Sequence, residues 1–219
     1  MSELFDCSDP GQRQAGIASA ISALKGGRLV VLPTDTVYGI GADAFDSDAV
    51  AALLSAKGRG RDMPVPVLVG SWHTIDGLVY SVPNSARELI QAFWPGALSL
   101  VVRQAPSLQW DLGDAYGTVM LRMPLHPIAI ELLREVGPMA VSSANISGQP
   151  AAVTVDDAQG QLADLVEVYL DGGPAEKQAA STIVDLTSDR PRVLRQGPVT
   201  AEAIAEVLGV DVDTLIATA

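Results

Sequence analysis

Apolar positions along this chain switch repeatedly between helical and extended spacing. Ile17, Ala20, Ile21 and Leu24 recur at helical intervals, and Gly26-Gly27 supplies a stop. Leu29 to Leu32 is wholly apolar and valine-rich, which predicts a strand buried on both faces. Asp46 or Ser47 can cap a second helix carrying Val50, Leu53 and Leu54. Val65 to Val69 reads as a strand, and Arg87 to Phe93 as a helix stopped by Pro95-Gly96. Strands follow at Leu98 to Val102 and Thr118 to Leu121, then a helix at Ile128 to Val136 and an extended stretch at Met139 to Val141. Asp156 or Asp157 opens a helix, followed by strands near Val166 to Leu170, Thr182 to Leu186 and Val193-Leu194. A helix from Thr200 to Leu208 begins a helical tail.

Interleaving of this kind predicts a single α/β domain, residues 1–219, with a twisted mixed sheet and flanking helices. There is no internal repeat and no low-complexity linker. Composition supports a packed core: 48% of the 219 residues are hydrophobic and 18% charged. A net charge of −12 opposes non-specific binding to phosphate backbones, so any anion site must be a local basic cluster. The single cysteine, Cys7, sits near an N-terminus expected to be mobile and cannot make a disulfide framework. Residues Met1 to Pro10 lack the apolar core of a signal peptide, and no run reaches membrane-spanning length, so a cytoplasmic location is expected.

Five polar stretches follow apolar strands, where open α/β sheets present ligand-binding loops. Pro33 to Gly39 packs two threonine hydroxyls, a carboxylate and a phenol into a few positions; they could serve a ligand or a local turn. Lys57-Gly58-Arg59-Gly60-Arg61 concentrates three of the 14 cations at a helix end, and favours an anion site. Arg122 continues an apolar run and needs a partner, either a ligand anion or an internal Asp. Ser142 to Gly148 is a loop of small hydroxyls with Asn145, on its own weight a polar loop. Ser181-Thr182 and Arg195 flank two further strands. There is no P-loop, no glycine-rich dinucleotide turn and no nucleophile elbow, and the two histidines, His73 and His126, are scattered.

Seven segments in order resemble the YrdC-like family of threonylcarbamoyl-AMP synthases: PTDTVYGIGADAF, AKGR, FWPGALSLVV, VMLRMPLHPIA, SSANISGQP, STIVDL and VLRQGPVT. They lie in a motif-bearing region, 12–200, ahead of the tail, 201–219. The resemblance implies a wide concave cleft that takes L-threonine, bicarbonate and ATP and releases pyrophosphate. It implies Lys57 and Arg59 as catalytic and phosphate-holding groups, assisted toward ATP by Ser143, Asn145 and Arg195. It assigns threonine to Thr36, Tyr38, Arg122 and Ser181. No protein metal ligand is implied; Mg²⁺ would ride on the ATP phosphates. The product would pass to a tRNA threonylcarbamoyl transferase complex, with direct tRNA binding weak or absent. Met63, Gln196 and the loop Glu176 to Ala180 depart from the family pattern. The rival readings are a double-stranded RNA or tRNA-binding module, and a regulatory or carbamoyl-transferring paralogue of the same fold.

Overall fold

A computed structural model describes residues 2–216; Met1 and the last three residues of the expected tail lie outside the described residues. In chain order the elements are β1 (Glu3–Asp6), α1 (Pro10–Lys25), β2 (Val30–Leu32), β3 (Gly39–Asp43), α2 (Ser47–Ala56), β4 (Val67–Leu68) and α3 (Asn84–Phe93). They continue as β5 (Leu98–Arg103), β6 (Thr118–Arg122), α4 (Pro127–Val136), β7 (Met139–Ser143), α5 (Val155–Leu162) and β8 (Val168–Asp171). Last come β9 (Thr182–Asp185), β10 (Arg192–Arg195), α6 (Ala201–Leu208) and α7 (Val212–Ile216). The strands form one sheet in the order β1-β8-β2-β3-β7-β4-β6-β5-β9-β10. Parallel and antiparallel pairs are mixed: β4 runs parallel to β6, for example, and antiparallel to β7.

Side-chain alternation assigns the two faces. On β2, Val31 joins the core built by α2, α3, α5, α6 and α7, while Val30 and Leu32 join a second core under α1 and α4. The first core spans the sheet from β8 to β9. The second covers only the half around β8, β2 and β7. Helices therefore leave part of one face open, and the inward residues of that part become the floor of a cleft.

Two segments differ from the pattern-based expectation. The N-terminus is not a loose arm: β1 pairs in parallel with β8, Leu4 opposite Tyr169, and Cys7 is buried in the second core. Burial pushes the Cys7 thiol up to about 11, which makes it unreactive. The pairing is long-range, so four residues with no marked alternation gave no local signal. The stretch after Val37 is also a strand rather than a loop. β3 lies between β2 and β7, and a Cβ on Gly39 would come within 2.6 Å of Val141 Cγ1. Glycine is there for close strand approach, at the expense of strand propensity.

Candidate active site

The open part of the sheet holds a cavity of about 250 Å³. Leu68, Ser99, Met120, Val141 and Ile183, from β4, β5, β6, β7 and β9, line it. Thr34 with Thr36 to Gly39, the end of β7 at Ser142-Ser143, and Ala180-Ser181 close its sides. Three arginines face it, Arg59, Arg122 and Arg195, and no carboxylate does. A protein of net charge −12 has thus built one strongly cationic recess.

Arg122 ends β6 and is buried. Its Nε donates to Gly96 O and its Nη1 to Thr36 Oγ1, each at 2.9 Å, while Nη2 pairs with Asp35 Oδ1. A guanidinium has five N–H groups. One N–H on each terminal nitrogen therefore stays uncommitted. Burial pulls the Arg122 pKa down, and Asp35 opposes that. Of the two partners open for Arg122 from sequence, the internal Asp is present, and capacity for a ligand remains as well.

Arg195 is clamped by one edge. Its Nε and Nη2 donate to Ser181 O at 3.0 and 2.8 Å, and Nη2 reaches Ser181 Oγ at 3.2 Å. Ser181 Oγ also shares a hydrogen bond of 2.8 Å with Ser99 Oγ. The loop after β10 reaches this point because position 197 is glycine: a Cβ there would lie 2.4 Å from Ala180 O. Thr182 Oγ1 then accepts from Gly197 N and Val199 N and fixes the turn.

Arg59 arrives from the end of α2. Gly58 adopts a left-handed φ of +58°, Gly58 N bonds Ser55 O, and Arg59 N bonds Leu54 O at 2.9 Å. This C-terminal motif reverses the chain toward the cavity. There Arg59 Nη1 donates to Ser142 Oγ at 3.1 Å, and its buried Nε has no hydrogen-bond partner. Among the described residues neither Arg59 nor Arg195 forms an ion pair. Burial lowers both pKa values, with Asp62 acting oppositely on Arg59 from a longer range.

Of the residues expected from sequence, Thr36, Tyr38, Arg59, Arg122, Ser143, Ser181 and Arg195 line the cavity, whereas Lys57 and Asn145 do not. Lys57 is 2% exposed. Its Nζ donates to Ser143 O, to Asn145 O at 2.6 Å and to Asn145 Oδ1 at 3.3 Å. All three ammonium protons are used inside the protein. Asn145 Nδ2 in turn donates to Ile146 O and Gln149 O. Lys57 and Asn145 thus brace the serine loop from beneath. Burial, and to a lesser degree Arg59, push the Lys57 pKa down to about 8.

The Tyr38 side chain is fully buried behind the cavity lining. Its hydroxyl donates to Gly173 O at 2.6 Å and accepts from Gly172 N at 3.1 Å. Arg61 turns outward to Asp111 and Asp114, so the basic cluster divides between the cavity and the surface. Met63 is exposed and is not in the wall. Ser99, Ser142, Thr34 and Asp35 were given no site role from sequence. Ser99 had a readable signal, as the lone polar residue in an apolar strand. Asp35 had none, because its partner lies 87 residues away.

Fold and site together define an α/β protein with an arginine-lined recess on the uncovered half of a mixed sheet. A family model described as Telomere recombination, for Sua5, YciO and YrdC, matches residues 22–197. The chain belongs to the Sua5/YciO/YrdC family. A Mycobacterium tuberculosis protein, provisionally named a threonylcarbamoyl-AMP synthase, is 77% identical over 98% of this chain and 99% of its own length. A Bacillus subtilis threonylcarbamoyl-AMP synthase is 38% identical over 88% of this chain, which spans only 56% of that protein. The structure of P. abyssi Sua5 complexed with L-threonine superposes with a TM-score of 0.88 at 33% identity, covering 95% of this chain and 61% of that one.

Proposed function

We propose that this chain is an L-threonylcarbamoyladenylate synthase, forming threonylcarbamoyl-AMP and pyrophosphate from L-threonine, bicarbonate and ATP. The carrying observation is a recess with three arginines and no acid, in a family whose relatives are named for this synthase and include a threonine complex. In this reading the free N–H pair of Arg122 takes the threonine carboxylate, with Thr36 and Ser181 beside it. Arg59, Arg195 and Ser143 take the triphosphate, and Lys57 and Asn145 act on it by holding the serine loop. Tyr38, buried in the core, supports the wall from behind.

The chemistry needs no enzyme nucleophile. The threonine amine attacks bicarbonate carbon, water leaves, and a carbamate forms. A carbamate oxygen then bonds to the α-phosphorus of ATP as the bond to the β-phosphate oxygen breaks, releasing pyrophosphate. The protein contributes positioning and charge stabilisation. Among the described residues no group of three His, Cys, Asp or Glu side chains is placed to hold a metal. In this reading Mg²⁺ accompanies the nucleotide, held largely by its phosphate oxygens.

No helix among the described residues is long and apolar enough to cross a membrane. A cytoplasmic enzyme that hands its labile product to a tRNA-modifying transferase, without strong tRNA binding of its own, fits the acidic surface. The test is pyrophosphate release with each substrate omitted in turn. All three omissions should abolish it; release without threonine would instead indicate the paralogue reading. Tight RNA binding with no release under complete conditions would indicate the RNA-binding module.

A further inference from the structure

The cavity must sort two anions, a carboxylate and a triphosphate, among three similar arginines. We infer that Asp35 is the specificity-determining residue: by neutralising Arg122 from beneath, it reserves that arginine for the zwitterionic amino acid and keeps phosphates off it. The inference rests on the proposed function.

Three observations carry it. First, Asp35 is wholly buried and does not line the cavity, so it cannot itself contact substrate. Its Oδ1 accepts from Arg122 Nη2, and the same oxygen accepts from Leu125 N at 2.9 Å. Second, the charge of Asp35 is not shared with another cation. Its other oxygen, Oδ2, is buried without a hydrogen-bond partner. The nearby imidazole of His126 has its pKa lowered by burial, against the opposing pull of Asp35 and Glu176, so it is neutral at pH 7. Third, neither Arg59 nor Arg195 forms an ion pair among the described residues, and Asp62 acts on Arg59 only from longer range.

The consequence is electrostatic. A polyanion gains most at an arginine with uncompensated charge in a low-dielectric recess. The Arg122–Asp35 pair itself sums to zero, leaving only the more distant charge of Arg195, so a triphosphate finds N–H donors there but a much weaker attraction than at an unpaired arginine. Threonine carries no net charge at neutral pH. It loses little from that neutrality and uses the donors by geometry, a form of discrimination against the wrong ligand.

The test is calorimetric titration of inorganic pyrophosphate into the intact chain and its Asp35→Asn variant. Asparagine can still accept from Arg122 and from Leu125 N, so shape is kept while charge is removed. Wild type should bind pyrophosphate at one site, and saturating threonine should not displace it. Asp35→Asn should gain a second pyrophosphate site, at least about ten-fold tighter than any second binding in wild type. Threonine should compete for that second site, and Arg122→Gln in the same chain should remove it. If Asp35 only braces two loops, Asp35→Asn keeps its bonds and gains no site, which overturns the inference. Threonine displacing pyrophosphate from wild type overturns it as well, with no variant required. If wild type does not bind threonine at all, the functional reading fails, while the count of pyrophosphate sites still decides the role of Asp35.

Discussion

Arg122 and Arg195 end strands of the same sheet and face the same cavity, yet they stand in opposite electrical settings. Arg122 is 8% exposed in its side chain and is ion-paired with a fully buried Asp35. Arg195 is held only by neutral oxygens of Ser181, and Arg59 only by Ser142 and Pro64. A cation in a fixed, neutralised frame offers shape; a cation held by dipoles alone offers charge. One recess can therefore present a geometric subsite and a polyanion subsite with the same side chain.

Breaking the neutralised side should have the largest effect. Arg122→Lys keeps a charge but loses the fork, and should raise the threonine KM about 100-fold while leaving the ATP KM within about 3-fold. Arg122→Ala leaves Asp35 buried without a counter-charge and should destabilise the fold by about 3–5 kcal/mol in denaturant titrations. Equal effects on both substrates would dissolve the distinction between the subsites.

The charged side should respond next. Arg59→Ala should raise the ATP KM about 10- to 30-fold, with a smaller change for threonine. Added salt should raise the ATP KM and leave the threonine KM nearly flat, because only the former binds uncompensated charge. A threonine KM that climbs with salt as steeply as that of ATP would contradict the neutral pairing at Arg122.

Lys57 sharpens the comparison from below. Its folded pKa of about 8 lies under the ordinary value of 10.5. Between those values folding releases a proton from Lys57 that the unfolded chain retains, so the Lys57 contribution to stability rises with pH across that window, against an opposite contribution from Cys7 above pH 9. Below pH 8 both states are protonated and this slope vanishes. The stability difference between wild type and Lys57→Met should therefore shift toward wild type as pH rises across the window, as read from denaturation midpoints at its two ends. Over the same interval the neutral amine has one proton fewer for three acceptors, so catalytic efficiency toward ATP should fall in wild type. In Lys57→Arg it should stay level.

Arg61 should matter least. It pairs with Asp111 and Asp114 at the surface, where ion pairs contribute little, so Arg61→Ala should change either KM by less than about 2-fold. That outcome would separate Arg59 from Arg61 within one sequence cluster.

Most of the element order was legible because period and stop signals are local. The strands at Leu98–Arg103 and Thr118–Arg122 and the helix at Pro127–Val136 fall where apolar spacing put them. β1 and β3 were not legible, because one is stabilised by long-range pairing and the other is built from glycine and alanine for close packing. Within the site, the loops bearing Thr36, Arg59, Ser143 and Ser181 were visible as polar stretches after apolar runs. The assignment of Lys57 to phosphate was a different matter. A lysine beside an arginine reads the same whether it reaches a ligand or three carbonyl oxygens.

The sequence by itself determined a mixed α/β sheet, a single concentration of cations in an acidic chain, and membership of a family through seven ordered motifs. Tertiary structure alone decided which cations face the cavity, which one is neutralised, and which lysine braces a loop. The reason is physical. Periodicity and capping act over a few residues, whereas Asp35 meets Arg122, and Lys57 meets Asn145, only after strands far apart in the chain have been brought side by side.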